Sequence, residues 1–209
     1  MKKITYFILE IEPNDNAIKI FKKHPNSLIS QLDNKFYFKS HFKAQKEEID
    51  FSCQKIKMDE ELFERLKKLL NESLIEAKNI SKESIKPEKI KGSLHGSIYS
   101  VVYKYSNYKK EDKKDVFDFT TNIFVSMLTG HYLWNGNKRV ALVFLWSILW
   151  ELGYYLKWTK GFFVNYSVHK SILEHFVITL EKNKIIGKQE IKKWLIQNVI
   201  IGLNWRKNI

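Results

Sequence analysis

Six residues in one short stretch carry groups able to do chemistry. They are His131, Asn135, Gly136, Asn137, Lys138 and Arg139, in the segment His-Tyr-Leu-Trp-Asn-Gly-Asn-Lys-Arg. An imidazole titrates near neutral pH and can take or give a proton. Glycine lets the backbone come close to a ligand, and the first amides of a helix lack internal partners at the positive end of its dipole. A loop of this type opening a helix suits phosphate. Lys138 and Arg139 add two full charges. Each residue also has a plainer reading: a capping histidine, an Asn-Gly turn, two solvated cations. The placement of all six beside an apolar helix favours ligand binding.

That helix organises the chain. From Val140 to Leu152 only Ser147 and Glu151 are polar, and Gly153 follows as a stop. Such a segment is buried on nearly every side, and is too short, against roughly 20 residues for a span, to cross a bilayer. Upstream, Leu62, Phe63, Leu66, Leu69, Leu70 and Leu74 recur at helical spacing behind Asp59, a plausible cap. A second helix is expected over Asp112 to Leu128, with Val116, Phe119, Ile123, Phe124 and Leu128 on one face and Thr129-Gly130 closing it. Between them, alternation around Ser97 to Tyr105 predicts a short hairpin or flap. Beyond the central helix, the aromatic Gly153 to Tyr166 segment reads as turn-like. Val168 to Ile185 reads as a helix, and Lys188 to Ile201 as a last one entered after Gly187. Residues 1 to 56 differ: ITYFILEIE and NKFYFKSHF predict short strands, separated by Pro13-Asn14-Asp15 and His24-Pro25-Asn26 turns.

Composition sets outer bounds. A hydrophobic fraction of 44% over 209 residues supports a globular core, in one ordinary domain with at most a small appendage. The single cysteine, Cys53, excludes an internal disulfide framework and fits a reducing cytosol. Glu10 and Glu12 interrupt the basic, apolar start of the chain, which argues against a signal peptide. A net charge of +13 invites an acidic partner. Yet only Arg65, Arg139 and Arg206 are arginine, the residue that dominates base contacts, so nucleic acid is disfavoured.

The segment His131 to Arg139 resembles the signature of the Fic/Doc superfamily, His-x-Phe-x-acidic-Gly-Asn-x-Arg. Lys138 and the following Val-Ala-Leu are similar to the death-on-curing (Doc) branch. GSLHGSIYS upstream and NKIIGKQEIKKWLIQN near the end also resemble family segments, so the likeness covers about residues 57 to 202. It implies a mainly α fold: a Fic/Doc-type helical bundle (57–209) with a small β-hairpin flap, preceded by a short α/β or β extension (1–56). His131 would be the general base acting on a protein hydroxyl. Gly136 and Asn137 would form the anion hole, and Lys138 and Arg139 would neutralise phosphate charge. Asn135 stands where the family usually has an acidic Mg²⁺ ligand, and an uncharged amide holds Mg²⁺ weakly. Leu133 replaces a usual Phe, a packing adjustment.

The resemblance implies a cytoplasmic Doc-like toxin that transfers the γ-phosphate of ATP to a target such as a translation elongation factor, restrained by an antitoxin. Leu142, where adenylyltransferases of the family carry a second arginine, favours phosphotransfer. Gly136, where Doc proteins commonly have Ala, pulls towards AMP transfer. Ser84-Ile-Lys-Pro-Glu88 has the spacing of the family's inhibitory motif, but Pro87 would break its helix, and the match reads as coincidence. Two alternatives stay open: a Fic-type adenylyltransferase, and a degenerate Fic-fold binding protein without catalysis.

Overall fold

Helix α4 (Asn137–Glu151) is the centre that the sequence predicts. In the computed structural model, which describes residues 3–11, 29–32, 35–38, 47–81, 91–107, 115–130, 132–133, 136–156 and 166–201, every residue from Val140 to Leu145 is buried, as are Ile148 and Leu149. Around it stand α1 (Glu60–Ser81), α2 (Lys91–Ser106), α3 (Val116–Thr129), α5 (Tyr166–Lys182) and α6 (Lys184–Asn198), six helices among the described residues. The chain is mainly helical.

Two helices pack directly on α4: α1 on one side and α3 on another. Small residues permit the first contact. Ser73 of α1 is buried, bonds back to the Leu69 carbonyl at 2.7 Å, and lies 3.4 Å from the hydroxyl of Ser147. Ser147 itself donates to the Val143 carbonyl at 3.0 Å, so the polar residue inside the apolar run is satisfied within its own helix. Asp59 caps α1 by accepting the Leu62 amide at 3.1 Å, as the sequence predicts. Helix α3 starts at Val116 rather than at the expected Asp112, and its cap is Asp115: its carboxylate accepts the Asp118 amide while Asp118 accepts the Asp115 amide, a reciprocal capping box. All five apolar positions expected on α3 are buried.

The predicted hairpin over Ser97–Tyr105 is a helix, the body of α2. The buried residues are Leu94, Ile98, Val101, Val102 and Tyr105, a spacing of three and four that suits only a helix. Tyr99 and Tyr103 are exposed and stack on each other, and they produced the false alternation. The last helix also differs from expectation. It begins at Lys184, because Asn183 caps the amides of Ile185 and Ile186, and it ends at Asn198. The β-branched tail Val199–Ile201 (β6) pairs antiparallel with β5 (Tyr154–Leu156) in the segment read as turn-like.

Gly187 therefore lies inside α6, where α6 folds back on α5. A Cβ there would stand 2.8 Å from Leu180 Cδ2 and 3.0 Å from the Leu180 Cα. Alanine gains about 1 kcal/mol of helix propensity over glycine, but overpacking against backbone costs about 1–3 kcal/mol. Gly187→Ala should lower the urea midpoint of unfolding; a raised midpoint would show that the two helices separate freely.

Strands β1 (Lys3–Glu10), β2 (Ile29–Leu32), β3 (Lys35–Phe38) and β4 (Glu47–Lys55) form one sheet in the order β1-β4-β3-β2. Two of them, β1 and β3, coincide with expected strands; β2 and β4 were not anticipated. The β1–β4 pair is parallel, with Lys3 opposite Glu48 and Glu10 opposite Lys55, and the other pairs are antiparallel. The end of β1 is tied to the helices. The Leu9 amide bonds the Leu152 carbonyl at 3.2 Å, and the Tyr154 hydroxyl donates to the buried Glu10 carboxylate. Among the described residues no helix is long and apolar enough to cross a membrane.

Candidate functional site

The loop that opens α4 depends on one backbone conformation. Gly136 caps the helix at φ 91°, in the left-handed region that a side chain would strain. Gly153 at φ 88° ends the same helix, as expected of a glycine stop. The first helical bond of α4 runs from the Val140 amide to the Gly136 carbonyl at 2.9 Å. The amides of Asn137, Lys138 and Arg139 precede it and have no carbonyl one turn back within the helix. Asp59, Asp115 and Asn183 close such amides on α1, α3 and α6 with their side chains. Gly136 has no side chain with which to do so.

Asn137 holds the loop in shape. Its Oδ1 accepts the Leu133 amide at 2.8 Å, and its Nδ2 donates to the Leu133 carbonyl at 2.7 Å. Both polar ends of the side chain thus bond one residue of the loop. Leu133 is buried in the core, the anchoring role expected of it. Tyr132 packs beside it over Gly130, where any Cβ would fall inside the tyrosine ring.

Lys138 and Arg139 diverge, because neighbours on a helix point about 100° apart. Lys138 is half-exposed, and its Nζ lies 3.7 Å from Oε1 of Glu174 on α5, a loose ion pair that an anion can displace. Arg139 is turned inward and only 8% exposed. The structure therefore brings Gly136, Asn137 and Lys138 together at the first turn of α4 and turns Arg139 inward. His131 and Asn135 lie outside the described residues, as does Ser84–Glu88. Leu142 is buried in the core. An arginine at that position of this chain would be inside the bundle.

Sequence reading missed Glu174, which nothing marks at a distance of 36 positions from Lys138. It also missed an acidic cluster at the start of α3, formed by Asp115 and Asp118 with the buried Glu10 nearby. Burial holds the Glu10 carboxyl well above its ordinary value of 4.5, at about 7; the Tyr154 hydrogen bond opposes this shift and the nearby Asp115 adds to it. Asp115 is likewise raised, by burial and then by Asp118. Lys192 of α6 lies 3.1 Å from Asp115 and 2.7 Å from Asp118, and these carboxylates hold its charge against burial.

No protein-family model, curated protein or solved structure matches this chain. The likeness to the Fic/Doc superfamily rests on the residues quoted above. Among the described residues no group of three or more His, Cys, Asp or Glu side chains is placed to hold a metal ion.

Proposed function

We propose that residues 57–209 form a Fic/Doc-type transferase unit that uses the loop before α4 to bind the phosphates of ATP. The observation that carries this reading is the start of a buried helix without a side-chain cap: Gly136 in the left-handed conformation, with Lys138 at the rim. Anions bind where amides converge at the positive end of a helix dipole. A side-chain oxygen would compete for those amides, and glycine supplies none.

The reaction is transfer of the γ-phosphate to a Ser or Thr hydroxyl of a target protein, an elongation factor being the class the family suggests. His131 takes the hydroxyl proton as the oxygen attacks the γ-phosphorus, and ADP leaves with the bond that breaks. The loop amides and Lys138 stabilise charge on the phosphate oxygens, the larger part of catalysis in such transfers. Mg²⁺ is expected as the nucleotide's counter-ion, its ligands chiefly phosphate oxygens, with Asn135 contributing at most a neutral one. A protein antitoxin would restrain the activity. Leu142, standing where adenylyltransferases of the family carry a second arginine, favours γ-phosphate transfer over AMP transfer.

The test is purified protein with γ- or α-labelled ATP, Mg²⁺ and a bacterial lysate, with His131→Ala alongside. Protein label from the γ position that is lost in the variant supports this reading. Label from the α position would make the protein an adenylyltransferase. Failure of both labels to transfer would leave a nucleotide-binding protein without catalysis.

A further inference from the structure

Helix α6 presents a lysine every four residues, at 184, 188 and 192, which places all three along one side. Their surroundings differ. Lys192 is neutralised by two carboxylates, Asp115 and Asp118. Lys188, one turn earlier, reaches the same helix α3 but finds an amide: its Nζ donates to Asn122 Oδ1 at 2.6 Å. Asn122 in turn donates to the Tyr105 hydroxyl at 2.9 Å and to the Asp118 carbonyl at 2.8 Å, which fixes it in place. Tyr105 belongs to α2, and Lys104 precedes it. Lys188 thus sits over the middle of α3, with Lys104 of α2 and Lys184 of α6 near enough for their charges to act on it. Among the described residues none of the three has a carboxylate partner.

Such an arrangement is unfavourable when empty. Lys188 is half-buried, and its pKa is lowered by that burial and then by the charges of Lys104 and Lys184. Folding has brought together three like charges that an ordinary surface would keep apart. Asn122 offers Lys188 a neutral acceptor, which holds the ammonium in position without cancelling its charge. Asn183 already occupies the first amides of α6, so the end of that helix is not the receptor; the ammonium groups are.

We infer that Lys104, Lys184 and Lys188, arranged around Asn122, form a second anion site that takes a compact, multiply charged phosphate, separate from the loop before α4. Three ammonium groups on a rigid seat of α2, α3 and α6 match the several oxygens of a di- or triphosphate, and its charge relieves their mutual repulsion.

The probe is inorganic tripolyphosphate at sub-millimolar concentration, with ionic strength held constant by NaCl, followed by ¹⁵N NMR. The Asn122 side-chain amide signals should shift saturably as Lys188 leaves Asn122 for the anion. Lys104→Gln and Lys188→Gln should each weaken this response at least about tenfold, the scale of one charged hydrogen bond. Both variants should melt no lower than wild type without ligand, because each removes a repelled charge, so lost binding is not misfolding. Lys138→Gln should leave the Asn122 response intact, which separates this site from the proposed ATP loop. Unchanged affinity in both cluster variants would overturn the inference, as would loss in Lys138→Gln alone. A shift produced by a single-stranded oligonucleotide but not by tripolyphosphate would also overturn it, and would mark the surface as a nucleic-acid contact.

Discussion

Raising the pH from about 5 to about 8 should destabilise the folded chain by about 3 kcal/mol, and Glu10→Gln should remove most of that loss. Glu10 is fully buried where β1 meets the helices, accepts the Tyr154 hydroxyl through Oε1, and has no partner at Oε2 among the described residues. Below 4.5, its ordinary value, the carboxyl is protonated in both the folded and unfolded chain, and its contribution to stability is fully present. Between 4.5 and about 7 the unfolded chain loses the proton while the folded chain keeps it, so stability falls. Above about 7 both forms are ionised and the slope ends. Asp115, also raised, adds a smaller loss of the same sign. Lys192 is raised instead by its carboxylates, so its contribution disappears only at alkaline pH and does not disturb this window. In Glu10→Gln the Tyr154 donor keeps an acceptor, and nothing at that position can ionise. The absolute stability of the variant is expected to be lower, because a buried amide N–H₂ replaces Oε2 and needs an acceptor of its own. The decisive quantity is therefore the slope. Urea midpoints measured at about pH 5 and about pH 8 that fall equally in wild type and Glu10→Gln would show that the pH dependence arises elsewhere.

The helices that carry the site were legible because their signals are local. An apolar run bounded by glycines marked α4, and the spacing of leucines behind Asp59 marked α1. Gly136 and Gly153 were both singled out, and both adopt positive φ. Legibility failed where one face of a helix is exposed yet aromatic. Tyr99 and Tyr103 on α2 imitate the alternation of a strand, and only burial of Ile98, Val101, Val102 and Tyr105 decides the period. It failed again at α6, where capping by Asn183 moved the start ahead of Gly187. Nor could periodicity foresee that Val199–Ile201 would leave the helix to pair with Tyr154–Leu156, since that pairing is a tertiary contact. The charged clusters were the least legible. Glu10 lies 105 residues before Asp115, and Lys104 lies 84 residues before Lys188. Within the loop, the division of labour among Asn137, Lys138 and Arg139 was not legible: nothing in their spacing marks the Asn137 side chain as bonding Leu133, or Lys138 as exposed where Arg139 is buried.

That division makes Asn137→Ala the most informative substitution at the site, with transfer from ATP expected to fall about a hundredfold. The clamp fixes Leu133 relative to the first turn of α4 through two short bonds, and Leu133 is held from its other side by the core. Without the amide, Leu133 keeps its core contacts but loses its tie to the first turn of α4. The first turn of α4 survives, because it depends on Gly136 and the helix. ATP affinity should therefore change little, while the segment that begins at His131 loses its register against the bound phosphate. A displacement of about 1 Å at a reacting group is enough for a loss of this size. Stability should fall by about 2 kcal/mol, the scale of leaving a part-buried amide and carbonyl without their partner. Asn137→Asp separates the two bonds: a carboxylate still accepts the Leu133 amide, but it sets a negative oxygen against the Leu133 carbonyl and near the phosphate. It should be worse than alanine in both ATP affinity and rate. Rates at saturating ATP, with nucleotide affinity measured in parallel, read the difference. If Asn137→Ala keeps the wild-type rate, the clamp is only structural. If it loses affinity and rate together, the side chain meets the nucleotide directly, and the loop must rearrange when ATP binds.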